Sequence, residues 1–538
     1  VFRKFSPKRV PTVVECLDST LREGCQARGV GFTLQAKIKI ALMLDDLGVH
    51  VVEAGWPGAS PLDRKLFKAL KDYSFTNSKL AAFTSTRRKD IRVEEDANLN
   101  AVLDAGVDVA VVFGKSWSLH VEKVLKASLQ ENLDIVAESV EYLKQHGLRV
   151  LFDAEHFFDG FRENPEYSLT VLETAVESGA DTVVLADTNG GQLPHQVYQA
   201  VSEVIERLDA TVGVHMHNDS GNAVANTLMA VLAGASHVQV TVNGLGERCG
   251  NADLCQVVPN LYFKMGVKPL RVEDVEQALR KLTNISRTVY RLGGVKPNSY
   301  QPYVGEYAFS HKAGVHVDAV LKERRAYEHI PPRAVGNVRR MTVSELAGRT
   351  AVVYALLEEL GLRVAKRDER VTKTVEEVKA LALSGVSLDE AQSTVALILL
   401  KQLGLWREMF RLSEWRIVSE SVGGKASSWS WVKVEVGDRE EVGAGEGVGP
   451  VHAADVAIRG ILERFYPELR DVRLIDYRVI LPEAPSDTAS LVRVYVDFTD
   501  GRTVWSTTAA SKNIVEASIQ AILDGLDYYL QKKRTLKH

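Results

Sequence analysis

The stretch Thr211-Val-Gly-Val-His-Met-His-Asn-Asp219 is an apolar run that ends in paired histidines, followed by Ser220-Gly221 and a segment with helical spacing. That order reads as a strand, a short turn and a helix, one unit of an alternating chain. Side chains alternate along a strand, so His215, His217 and Asp219 share one face while Met216 and Asn218 take the other. Two imidazoles two residues apart can grip one divalent metal from the same side. The pair reads equally as two ordinary histidines hydrogen-bonded near a sheet end, and the stretch alone does not choose.

Working outward, apolar β-branched runs recur at 12–17, 49–54, 80–84, 107–113, 149–152, 182–186, 212–217 and 238–242. Between them lie amphipathic segments such as Leu34-Ala36-Ile38-Ile40-Ala41-Leu44-Leu47. Several close on a glycine before a new strand, at Gly48, Gly106, Gly147, Gly179 and Gly234, because glycine tolerates the left-handed turn that stops a helix. Eight strand–helix units, with strands apolar on both faces, predict a (β/α)8 TIM barrel in preference to a doubly wound open sheet. The expected domains are a barrel over 1–275, helical linking subdomains over 276–410 and a C-terminal domain over 411–538.

Composition narrows the class. With 538 residues the chain has room for several domains, and 45% hydrophobic and 25% charged residues are ordinary for a globular protein. A net charge of −4 argues against general nucleic-acid binding, and the basic start from Arg3 to Arg9 reads as a solvated tail. No apolar window is long enough for a membrane span, and the start lacks the pattern of a signal peptide. The four cysteines suggest neither a disulfide framework nor a zinc pair, so a cytoplasmic location is expected.

In such a barrel the chemistry sits at the C-terminal strand ends. Those ends read Asp18-Ser-Thr-Leu-Arg22-Glu23-Gly24, Glu53-Ala-Gly-Trp-Pro57-Gly, Asp153-Ala-Glu155-His156, Asp187-Thr188-Asn189-Gly-Gly191, His215-x-His217-Asn-Asp219 and Asn243-Gly-Leu-Gly-Glu247-Arg248-Cys-Gly-Asn251. Carboxylate, imidazole or amide groups thus end six strands.

Three of these motifs, Asp-x-Thr-Leu-Arg-Glu-Gly, His-x-His-Asn-Asp-x-Gly and Gly-Glu-Arg-x-Gly-Asn, resemble the family of isopropylmalate, homocitrate and citramalate synthases, whose metal-dependent barrel is related to hydroxymethylglutaryl-CoA lyase. The likeness runs through nearly the whole chain. The stretches at Glu53, Asp153 and Gly447-Val-Gly-Pro450 are most similar to the citramalate branch. The resemblance implies Claisen condensation of acetyl-CoA with a 2-oxoacid, pyruvate in that branch, followed by thioester hydrolysis to (R)-citramalate and CoA in isoleucine biosynthesis. Isopropylmalate synthase (2-oxoisovalerate as acceptor) and homocitrate synthase are the alternatives; an acyl-CoA lyase or a non-catalytic amino-acid sensor fits the motifs less well.

By the same resemblance a divalent ion (Mn, Mg or Zn) is held by Glu23, His215, His217 and Asn251. Glu23 stands where many relatives have aspartate, which adds one methylene of reach. Asn251 also reads as a turn-stabilising amide. Arg22 would bind substrate and place fixed charge on the developing alkoxide; it also reads as a partner for a neighbouring carboxylate. Thr188 would hold the substrate carboxylate, or cap the next helix. Glu155 or His316 is the candidate base, and His156 reads as a rim or core histidine. After the barrel, Phe309-Ser-His-Lys-Ala-Gly-Val-His316 and Ala326-Tyr327-Glu-His-Ile-Pro match a second family signature, implying that His316 and Tyr327 assist proton transfer or water attack. His311 is a weaker candidate.

The tail contains an internal ββα repeat. Trp431-Val-Lys-Val-Glu-Val, Gly437-Asp, a Gly-rich stretch and a helix over 453–465 are echoed by Val492-Arg-Val-Tyr-Val-Asp-Phe, the hairpin pair Asp500-Gly501 and a helix over 514–530. Gly443-Ala-Gly-Glu-Gly-Val-Gly449 superficially matches a dinucleotide loop, but it does not follow the first strand of a βαβ unit, which excludes a nucleotide site. The resemblance implies an amino-acid feedback site here, for isoleucine or leucine, at the interface of a homodimer; a dimerisation module without ligand is the other reading.

Overall fold

In the computed structural model, eight parallel strands close into a barrel in sequence order: β1 (Glu15–Asp18), β2 (Val51–Gly55), β3 (Lys79–Ser85), β4 (Val109–Lys115), β5 (Arg149–Glu155), β6 (Thr182–Asp187), β7 (Val212–Met216) and β8 (His237–Val240). Strand β8 pairs back onto β1, Glu15 opposite His237 through Asp18 opposite Val240, so no open edge remains and the open-sheet alternative falls. The structure describes residues 10–535 except 312–318, 321–322, 342–355, 357–359, 363, 365–367, 384–387, 389–390, 482–490 and 502. The basic start and His316 lie outside these residues.

Helices α1 (Leu34–Leu47), α2 (Pro61–Leu70), α3 (Ala97–Ala105), α4 (Leu129–Gln145), α5 (Phe157–Glu163), α6 (Pro165–Glu177), α7 (Pro194–Arg207) and α8 (Ala223–Ala233) follow the strands. Local chemistry sets their ends. The Thr33 hydroxyl caps α1 by accepting from the Ala36 amide, and Gly48, at φ 92°, stops it. Ser128 and Glu131 form a reciprocal capping box at the start of α4.

Period-two alternation layers the barrel interior. Its middle is an apolar slab that includes Leu17, Val51, Ala81, Val109, Val111 and Leu151. Two residues along, the same inward row turns polar at both ends: Glu15, Arg149 and His237 form the floor, and Glu53, Asp153, His215 and Gln239 the mouth. The slab isolates the two polar ends, so the mouth cluster stands on a dry, rigid base.

Helices α9 (Leu254–Met265), α10 (Val275–Leu279) and α11 (Leu282–Gly293) bury Leu261, Leu279, Leu282 and Val289 in the same core, so the barrel's compact unit runs past residue 275, as Val1–Phe309 with His329–Arg339. A second compact unit comprises Ser310–Glu328 and Arg340–His538. It contains α12 (Glu369–Leu383), α13 (Gln392–Gln402) and the repeat. One copy is β9 (Arg411–Val422), β10 (Lys425–Val436), β11 (Arg439–Gly447) and α14 (Pro450–Phe465); the other is β12 (Arg473–Ile480), β13 (Val492–Thr499), β14 (Val504–Ser511) and α15 (Ile514–Thr535). Each ββα copy thus carries one further leading strand.

The Gly-rich stretch is itself strand β11. Gly443, Gly445 and Gly447 alternate onto the face that α14 covers, where a Cβ on Gly445 would stand 2.5 Å from the Ala453 carbonyl oxygen. Close packing of helix on strand, and not phosphate binding, requires these glycines. Among the described residues no helix is long and apolar enough to cross a membrane.

Candidate active site

His215, the last residue but one of β7, lies opposite Gln239 of β8. Its Nδ1 lies 2.8 Å from Gln239 Oε1, and its Nε2 lies 3.3 Å from both His217 Nε2 and Asn251 Nδ2. His217 follows the strand but stays in line through a backbone bridge to Asn251, so the expected same-face pairing holds for the two imidazoles. Asp219 leaves that face; its carboxylate takes the Arg248 guanidinium at 2.7 and 2.9 Å. Burial keeps both histidines neutral: His215 is lowered, and His217 is pushed down to about 3 by burial and by His215.

These atoms form a candidate metal cradle. Neutral imidazoles present lone pairs, and 3.3 Å is the spacing of two nitrogens about one cation at bonds of about 2.0–2.1 Å. Asn251 Oδ1 and His217 Nδ1 are buried without a hydrogen-bond partner among the described residues. Glu23 opens a short 3₁₀ turn, Glu23–Gln26; burial raises its carboxyl, but Arg22, His215 and His217 outweigh burial and hold it below its ordinary value. Among the described residues no three His, Cys, Asp or Glu side chains form a metal-holding group, and the Glu23 carboxylate pairs with Arg22. Two imidazoles and an amide, with a carboxylate alongside, nonetheless make a mixed N/O donor set that fits a divalent cation.

Arg22 is buried between two carboxylates. It pairs with Glu23 through Nη1 and donates from Nε to Glu53 Oε2 at 2.8 Å, while its guanidinium lies 3.8 Å over the Phe83 ring. Ser19 donates to the same Glu53 oxygen, and Glu53 Oε1 has no hydrogen-bond partner among the described residues. The backbone here is held from outside: the Lys37 ammonium of α1, paired with Asp63 at 2.6 Å, donates to the Leu21 carbonyl at 2.8 Å. Burial opposes charge on Arg22, but Glu53 and Glu23 more than offset it. Crowding then falls on the remaining acids: burial pushes Asp18 up to about 7, and burial with Glu53 pushes Asp153 up to about 8.

Glu155, at the end of β5, pairs with Lys115 of the neighbouring β4. His156 adopts φ 57°, and its backbone N–H donates to Thr188 Oγ1 at 2.8 Å. Thr188 therefore supports the β5 end instead of capping a helix. The His156 ring packs against Trp117 and His120, as a rim histidine does. Tyr327 lies in the second unit, 44% exposed, with the His311 ring 6.5 Å away.

The structure therefore brings Arg22, Glu23, His215, His217 and Asn251 together and leaves Tyr327 in a separate unit. Sequence reading did not single out Gln239, Lys37, Lys115 or Ser19. For Gln239 a signal existed: it is a lone amide inside the apolar run Val238-Gln-Val240.

Three families match in succession: HMGL-like over 13–289, homocitrate synthase post-HMGL domain-like over 303–385, and LeuA allosteric (dimerisation) domain over 391–530. The chain is 51% identical to the (R)-citramalate synthase of Sulfolobus acidocaldarius, covering 97% of this chain and 98% of that one. It is 45% identical to that of Aquifex aeolicus, covering 96% and 97%. The 2-isopropylmalate synthase of Methanocaldococcus jannaschii stands further off, at 34% over 97% of this chain and 96% of that one. With barrel, middle segment and tail all matched in order, this chain belongs to the (R)-citramalate synthase family.

Proposed function

We propose that the chain condenses acetyl-CoA with pyruvate and hydrolyses the resulting thioester to citramalate and CoA. Near-full-length similarity to citramalate synthases, at 45% and 51% identity, carries the reaction type. The convergence of Arg22, Glu23, His215, His217 and Asn251 at one barrel mouth supports the division of labour among residues.

Glu23, His215, His217 and Asn251 would hold a divalent cation (Mn, Mg or Zn). A cation held there would supply Lewis-acid polarisation of the 2-oxo group. Arg22, kept charged between Glu23 and Glu53, faces the oxygen that becomes the alkoxide and stabilises it without reorganising. Thr188 uses a lone pair on the His156 amide and keeps its hydroxyl proton for the substrate carboxylate. Glu155 removes a proton from the acetyl methyl, and the new carbon–carbon bond forms as the carbanion attacks the ketone. Lys115 beside Glu155 balances its charge between turnovers. Water then cleaves the thioester, releasing the CoA thiol and a carboxylate, with His316 and Tyr327 serving proton transfer. The tail, matched to the LeuA allosteric (dimerisation) domain, makes the chain a homodimer and binds isoleucine as feedback ligand.

Thiol release from acetyl-CoA with each 2-oxoacid tests the substrate. Pyruvate is the expected best acceptor; preference for 2-oxoisovalerate moves the reading to an isopropylmalate synthase. A thermal-shift titration with isoleucine, leucine and valine tests the tail, and no shift with any of them leaves it a purely dimerising module.

A further inference from the structure

A neutral imidazole carries one proton on two nitrogens, and the hydrogen bond at one nitrogen decides what the other can do. His215 Nδ1 meets Gln239 Oε1 at 2.8 Å. The other end of that amide is engaged as well: Gln239 Nε2 donates to Asp153 Oδ1 at 2.8 Å. Asp153 Oδ1 accepts from the NH2 side of the amide, as it does whether the acid is ionised or carries its proton on Oδ2, and this turns the carbonyl oxygen to His215. Facing an oxygen that can only accept, Nδ1 must carry the proton, and Nε2 is left as a bare lone pair towards His217 and Asn251. Gln239 is 1% exposed and Asp153 5%, which excludes competition from bulk water. The strand register puts Gln239 beside His215, and Asp153 reaches it from β5 across the barrel interior.

His217 has no such support, because its Nδ1 is buried without a partner among the described residues. The two imidazoles, equivalent in sequence, therefore differ: one is locked and the other is not. In the 3.3 Å contact between them His215 Nε2 is the acceptor, so His217 is the donor through its own Nε2–H. Only His217 has to relocate a proton before it can ligate.

We propose that Gln239, oriented by Asp153, is a positioning residue that fixes His215 in the Nδ1-protonated tautomer and keeps Nε2 available to the cation. This rests on the reading of His215 as a ligand. Two measurements on the full-length chain test it. In chelator-stripped protein labelled with 15N-histidine, long-range proton–nitrogen spectra, assigned against His215→Ala, are expected to show His215 protonated on Nδ1. In Mn2+ titrations followed by the EPR signal of the free ion, Gln239→Leu is expected to weaken binding about 10–100-fold, whereas Gln239→Glu, which keeps an oxygen acceptor, stays within about threefold of the parent. A His215 protonated on Nε2 overturns the proposal whether or not the variants fold. So does Mn2+ binding that is lost in His215→Ala but unchanged in Gln239→Leu. Unchanged binding by His215→Ala itself brings down the ligand reading, and the proposal with it.

Discussion

At the floor of the barrel Glu15 takes both Arg149, at 2.6 Å, and His237, at 3.0 Å, whereas at the mouth one arginine is shared by Glu23 and Glu53 with Asp18 and Asp153 close by. The side-chain chemistries are the same: carboxylate, guanidinium, imidazole. At the floor, charges balance; burial raises the Glu15 carboxyl, but Arg149 and His237 outweigh it and hold it far below its ordinary value. At the mouth carboxyl groups outnumber cations, two of them are pushed up, and Glu53 Oε1, His217 Nδ1 and Asn251 Oδ1 are left without partners among the described residues. Folding tolerates such an excess only where something else supplies positive charge and hydrogen bonds, which is what a cation and a substrate bring. The floor holds the barrel closed, and the mouth gives up stability to keep its groups reactive.

That contrast is open to attack by mutation. The largest effect is expected for Arg22→Lys. A single ammonium cannot span Glu23 and Glu53 as the guanidinium fork does, nor meet the alkoxide with the same geometry. kcat measured by thiol release should fall about 10²–10³-fold; a loss below tenfold would show that the mouth does not depend on the fork.

Glu15→Gln is the matching lesion at the floor. It should lower the unfolding free energy by about 1–3 kcal/mol, read from a denaturant midpoint, and leave kcat unchanged. The pH dependence has opposite signs at the two ends. Glu15 is held below its ordinary 4.5, so the folded chain binds fewer protons there than the unfolded chain. Its contribution is full above that pH and is lost as pH falls, and the Glu15→Gln penalty should shrink in acid. Asp153 is raised from 3.8 to about 8, so the folded chain binds more protons across that window. Its contribution is lost as pH rises, and chelated Asp153→Asn protein should gain on the parent as pH climbs towards 8. Parallel slopes in the two variants would refute the contrast.

Much of this was legible in the sequence. All eight apolar runs overlap observed strands, because a strand buried on both faces leaves a continuous apolar signal, and glycine stops such as Gly48 divide the units. The imidazole pair and its partners could be read from strand-end positions together with the family motifs. Contacts between distant positions could not. Lys37 sits on an amphipathic helix where lysine ordinarily faces water, yet it is buried against Asp63, 26 residues away. Lys115 reaches Glu155 only because β4 and β5 are neighbours. The Gly-rich stretch from Gly443 to Gly447 carries no strand signal since glycine is poor in strands, and packing of α14 overrode that preference.

The finest test uses two threonines at the two ends of β6. Thr182 begins β6 at the floor, its hydroxyl 3.5 Å from Arg149 Nη2, and Thr188 follows the end of β6 at the mouth. Thr188→Val keeps the shape but removes the acceptor for the His156 amide and, on the proposed mechanism, the donor for the substrate. His156 is already at φ 57°, which side-chain-bearing residues avoid, so loss of that hydrogen bond frees the segment next to Glu155. One hydrogen bond of about 0.5–1.5 kcal/mol corresponds to roughly a 2–13-fold loss in kcat/KM, expected mostly as a raised KM for pyruvate. Thr188→Ser keeps the hydroxyl and should behave like the parent. Thr182→Val should leave KM alone and move only the unfolding midpoint. Equal KM changes in the two valine variants would mean that Thr188 acts through the barrel's rigidity and not through the substrate, and the mouth would then differ from the floor in charge alone.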